Sequence, residues 1–119
     1  MSIDIRQLHI GSHIAINGER AKVISIDEHG LIGYRTPDDL GRVGASDVEP
    51  IPITPELLKE LGFEFRDKGC WQYWSKSNFY LAKRNESSYW MYEGEIGVQY
   101  LHELENLYSM IYDDKLIKD

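Results

Sequence analysis

The chain has a single cysteine, Cys70, which excludes a disulfide framework and a cysteine-based zinc site. No apolar run approaches the ~20 residues that a membrane-spanning helix needs, so no membrane partner is expected. The N-terminal segment MSIDIRQLHIG lacks the basic start and apolar centre of a secretion signal. A basic surplus is missing too. The net charge is −7, with five basic and eight acidic side chains in residues 1–53 and eight and twelve in residues 54–119. Duplex DNA is held by neutralising its phosphates with a positive face, so duplex DNA is not an expected partner. Glycine-rich phosphate loops are absent, because GLIG and GRVG lack the strand-to-helix setting that such loops require. What these absences leave is a cytoplasmic protein that meets a basic partner surface or holds a small ligand in a pocket.

Hydrophobic residues make up 42% and charged residues 28% of 119 residues. That balance belongs to a folded chain, long enough for one domain or two small lobes sharing a core. Residues 8–35 alternate short β-rich runs with turn signals. SHIAI places Ile14 and Ile16 on one face, and Asn17-Gly18 is a strong hairpin signal because both residues tolerate positive φ. AKVISI follows, with Ala21, Val23 and Ser25 on one face and Lys22, Ile24 and Ile26 on the other. LIGYR begins a third strand, and a brief fourth is expected around Gly41–Ala45. In DVEPIPI the two prolines enforce an extended, edge-type or closing segment. Four or five short strands in this space predict a small SH3-like barrel over residues 1–53.

The stretch ITPELLKELGF carries both ends of a short helix at 55–61. Thr54 is suited to the N-cap, Pro55 to the first helical position, and Ile53 with Leu58 to a hydrophobic staple. Gly62 fits the left-handed residue after the helix, with Phe63 folding back onto Leu58. Leu57, Leu58 and Leu61 form the stripe that must be buried, since two turns of helix do not stand alone.

Beyond it, FEFRD, CWQYWS, FYLAKR and YWMYE, separated by KG, KSN and NESS, read as a four-stranded antiparallel meander with Phe63 and Phe65 inward. Residues 98–113 then repeat Leu101, Leu104, Tyr108 and Ile111 at helical spacing, predicting a closing helix that frays at Asp113 and Asp114. The fold class is therefore α+β, with a barrel lobe at 1–53 and a lobe of helix, meander and closing helix at 54–119.

Three segments, LHIGSHIAINGERAKVISI, DVEPIPITPELLKELGF and VQYLHELENLY, together resemble a family of small uncharacterised proteins encoded by bacterial prophages and mobile elements. The likeness covers nearly the whole chain and is most specific at the junction and the closing helix. Glu105 stands where the family pattern often reads Gln. The resemblance implies a mobile-element origin and a cytoplasmic setting, and no activity or mechanism.

Chemistry is sparse. His102 and Glu105, three apart on a helix, would be half a metal site with no second half, so His102 and Asn106 are read instead as a structural polar seam against the barrel. His9 and His13, four apart in a strand-like region, need not meet. The acid pairs Asp38-Asp39, Glu93/Glu95 and Asp113-Asp114 read as solvated charge, and Cys70 as a packed thiol. No catalytic residue, metal or cofactor is expected.

The one functional lead is a set of eight large rings within residues 70–92 that do not keep to one strand parity. Trp74, Tyr80 and Trp90, interleaved with Lys83 and Arg84, are the expected ligand- or partner-binding residues. The plain alternative is that such rings are core or oligomer interface. The expected function is a non-enzymatic accessory binding protein that uses this aromatic surface on a host protein or on itself, as a homo-oligomer. A nucleotide-like ligand is the alternative, and a single-stranded nucleic-acid module a further one disfavoured by charge.

Overall fold

The computed structural model describes residues 8–84, 87, 89–93, 95–112 and 116–117, without the side chain of Lys68. The NESS turn and the Asp113-Asp114 pair read from the sequence lie wholly or partly outside the described residues. The chain is α+β, with two antiparallel sheets and a C-terminal helix. It divides into two units: residues 1–51 with 100–106, and residues 52–99 with 107–119. The sequence-based boundary fell between 53 and 54 and left the closing helix whole. The observed division gives the first half of that helix to the N-terminal unit.

The first unit carries β1 (His13–Ile16), β2 (Glu19–Ile26), β3 (Leu31–Arg35) and β4 (Leu40–Gly44), in the order β1-β2-β3-β4. Asn17 and Gly18 make the β1–β2 hairpin with φ of 52° and 79°, the conformation for which that dipeptide is favoured. The open edge of β1 is taken by Glu49, whose N–H and C=O both bond to Ala15 at 2.9 and 2.8 Å. The proline-rich segment thus meets the sheet edge through a single bridge at Glu49, the residue before Pro50. The hydrogen-bonded order is that of an open sheet rather than a closed ring.

One core fills this unit: Leu8, Ile14, Ile16, Ala21, Val23, Ile32 and Val48, flanked by Ile26, Tyr34, Val43 and Ala45. Each large aliphatic side chain buried there contributes about 1.5–3 kcal/mol. A bulge between Val23 and Ser25 corrects the strict alternation expected in β2. Ile24 is the extra residue, so parity resets after it. Ser25 goes to the outside with Ile24, while Ile26 turns toward the core opposite Ile32.

In the second unit α1 (Pro55–Glu60) starts and stops where its residues dictate. Thr54 Oγ1 accepts from the Leu57 N–H at 3.1 Å. Gly62 sits at φ +92°, its N–H bonds to the Lys59 C=O, and the Phe63 N–H reaches back to the Leu58 C=O at 2.9 Å. That double closure satisfies carbonyls that would otherwise be left over at the helix end.

β5 (Glu64–Lys68), β6 (Trp71–Lys76), β7 (Phe79–Arg84), β8 (Trp90–Tyr92) and β9 (Ile96–Val98) follow as a five-stranded meander. β9 was not foreseen. Ile96, Gly97 and Val98 pair with β8, so α2 begins at Leu101 and runs to Tyr112. Phe79 is the hub of the ring packing, 4.9 Å from Tyr92, 5.4 Å from Tyr108 and 6.1 Å from Phe63 between ring centroids. Phe65, expected inward, leans on Trp74 at 4.8 Å yet stays 46% exposed, because β5 is an edge strand.

Candidate functional site

The register of the second sheet decides which rings share a face, since residues directly opposite one another point to the same side. One face holds Phe65, Trp74, Leu81, Tyr92 and Ile96 in one row, with Phe79, Trp90 and Val98 in the rows beside it. Trp74, Phe79, Leu81, Trp90 and Val98 are buried, so this is the core face.

The other face is built of three rows. Arg66, Tyr73, Ala82, Met91 and Gly97 form the central one, Glu64, Ser75 and Tyr80 the second, and Trp71 with Arg84 the third. Tyr73 and Tyr80 are 37% and 57% exposed, and Tyr89, which lies against Gly97, is 51% exposed. Trp71 stacks beside Tyr73 at 6.4 Å, and the Arg84 guanidinium lies 5.7 Å above the Trp71 ring. Arg66, Tyr73, Ser75 and Tyr80 enclose a shallow cleft of about 200 Å³.

The five residues singled out from the sequence are therefore not one surface. Trp74 and Trp90 are each 2% exposed and belong to the core face. Lys83 is with them, its ammonium 5.5 Å from the Trp90 ring. Tyr80 and Arg84 stand on the outward face. What separates the two sets is the pairing of Trp74 with Leu81 and of Ser75 with Tyr80, which sends Tyr80 away from Trp74. Sequence reading left Arg66, Tyr73 and Ser75 out of the site; Tyr73 and Ser75 share strand parity with Trp71 within CWQYWS, and Arg66 joins them only through the β5–β6 register. Trp74 serves packing at some cost, since its buried Nε1–H finds no acceptor among the described residues.

Cys70 is exposed in the Gly69-Cys70 turn and not a packed thiol. It sits in the two-residue loop between Lys68 and Trp71, where no cross-strand neighbour covers it.

Beside the expected pair His102 and Asn106, α2 carries a polar link that the sequence did not announce. His102 is 1% exposed and stacks on Tyr100 at 6.1 Å, while Asn106 is half-buried. Glu105 makes a link into the first sheet. Its carboxylate accepts from the His13 N–H at 2.8 Å and meets His13 Nδ1 at 2.8 Å, with both residues buried. Burial pushes the His102 imidazole below its usual pKa of 6.5, against the upward pull of Glu103 and Glu105. Among the described residues no cluster of three His, Cys, Asp or Glu side chains is placed to hold a metal ion. No helix among them is long and apolar enough to cross a membrane.

No family model matches the chain, and neither a curated protein nor a solved structure matches it.

Proposed function

We propose that the chain is a non-enzymatic binding protein whose working surface is the outward face of the second sheet, and that it engages a partner protein there. The observation that carries this is the placement of Trp71, Tyr73 and Tyr80, with Met91, Arg66 and Arg84, on the side of the sheet away from its core. Tryptophan, tyrosine, methionine and arginine are the residue types enriched in protein interfaces, and the first two with arginine dominate their binding energy. A second copy of the chain is the weaker occupant. A two-fold contact through this face would bring two arginines from each copy, against one glutamate from each, into the same interface.

In this reading the first sheet, with its Glu49 closing segment, is an SH3-like barrel serving as scaffold. The setting is the cytoplasm, and the likeness to prophage proteins suggests an accessory role toward a host protein. The test is quantitative capture on immobilised wild-type chain and on a Tyr73→Ala/Tyr80→Ala double variant, with far-UV circular dichroism as the folding control. Partners enriched on the wild type should fall at least ~10-fold on the variant, as expected when two hot-spot rings are removed. Identical enrichment on both would remove the face from consideration.

A further inference from the structure

The cleft within this face has a chemistry of its own. Arg66 stands on the edge strand β5 opposite Tyr73, and Ser75 stands opposite Tyr80 one row further along. The four side chains thus supply a guanidinium fork, three hydroxyl groups and two ring walls around one opening. No carboxylate pairs with Arg66 among the described residues. Glu64, the acid on the same face, lies opposite Ser75 and does not line the cleft. On a chain of net charge −7, the described charges of this face are two arginines and one glutamate. The local field therefore favours an anion where the molecule as a whole repels one.

Size narrows the ligand. Sites for whole small molecules run roughly 300–1,000 Å³, and this cleft has about 200 Å³. It suits one oxyanion group with the stem that bears it, presented from a larger molecule.

We propose that Arg66, Tyr73, Ser75 and Tyr80 form a seat for a single oxyanion, a carboxylate or phosphate monoester, carried on a side chain of the partner protein. The proposal rests on the reading of this face as the binding surface and names the anchor that the face takes. Arg66 binds two oxygens of the group in its planar fork. The tyrosine and serine hydroxyls donate to the same oxygens, and the rings flank the stem.

The test is amide-resolved NMR titration of the full chain with phenyl phosphate, benzoate and benzylamine. Saturable shifts at Arg66, Tyr73, Ser75 and Tyr80 with at least one oxyanion, and none with benzylamine, are expected. Arg66→Gln should weaken that binding ~10-fold or more, and Arg66→Lys should recover only part of it because an ammonium has no fork. Preference for phenyl phosphate over benzoate would identify a phosphorylated side chain, and equal binding an acidic one. Silence with both oxyanions, an equal response to benzylamine, or unchanged binding by Arg66→Gln would overturn the seat.

Partner capture separates this failure from that of the face. If Tyr73→Ala/Tyr80→Ala abolishes capture and Arg66→Gln leaves it intact, the seat falls and the face stands. If no variant changes capture, the face falls and takes the seat with it.

Discussion

In the first sheet the exposed aliphatic side chains stand apart. Ile24 occupies a bulge, and Leu31 and Leu40 lie at opposite ends of the β3–β4 pair. In the second sheet the exposed rings gather in adjacent rows, Tyr73 on β6 and Tyr80 on β7, with Arg66 opposite Tyr73 and Arg84 over Trp71. Isolated apolar residues on a surface are ordinary. A cluster of rings is not, and it occurs on the one sheet whose opposite face already supplies a full aromatic core. The contrast separates the two faces: the buried face of the second sheet and the polar link in the first unit hold the fold, and the outward face is the one proposed to bind.

The sharpest way to break that division is to compare neighbours on β7. Phe79→Ala should cost about 3–5 kcal/mol in urea denaturation, as large ring deletions from a core do. A loss below ~1 kcal/mol would mean the core face is not the fold's anchor. Glu105→Ala should cost about 3–5 kcal/mol, because it leaves the buried His13 N–H and ring without the carboxylate they meet. Glu105→Gln can still accept from the His13 N–H and should cost clearly less. Equal losses would show that charge, not hydrogen bonding, makes the link. Thr54→Ala should remove about 1 kcal/mol with its N-cap bond, measurable as a lower urea midpoint at unchanged slope.

Lower still is the effect of pH. His102 protonates less readily when folded than when unfolded, since burial opposes its charge. The unfolded chain therefore takes up the proton first, so stability is full above a pH of about 6.5 and falls as the pH drops below it. Urea midpoints at about pH 7.5 and pH 5 should show that fall, and His102→Gln should reduce it. The smallest effect belongs to the outward face, where Tyr80→Ala should change stability by less than ~0.5 kcal/mol. A loss like that of Phe79→Ala would erase the distinction between the faces.

What the sequence discloses here is what neighbouring residues decide among themselves. Thr54, Pro55 and Gly62 mark α1 because caps act over three or four residues. Asn17-Gly18 marks its hairpin for the same reason. The features it hides are set by partners distant in the chain. The bulge at Ile24 exists only against β3, and β9 only against β8. His13 and Glu105 are separated by 92 positions, and nothing local announces either as the other's partner. The candidate surface was half legible. The excess of rings near Trp71 and Tyr80 was visible, but whether Trp74 or Tyr73 joined them depended on a register that β6 alone does not contain.

One detail of the β5–β6 turn has a practical consequence. The molecule's sole thiol is solvent-accessible and adjoins Trp71 in sequence, at the border of the outward face and away from its cleft. A maleimide dye attached there would label the unaltered chain at one defined position. Docking at the neighbouring rings could then be followed by fluorescence without engineering a tag.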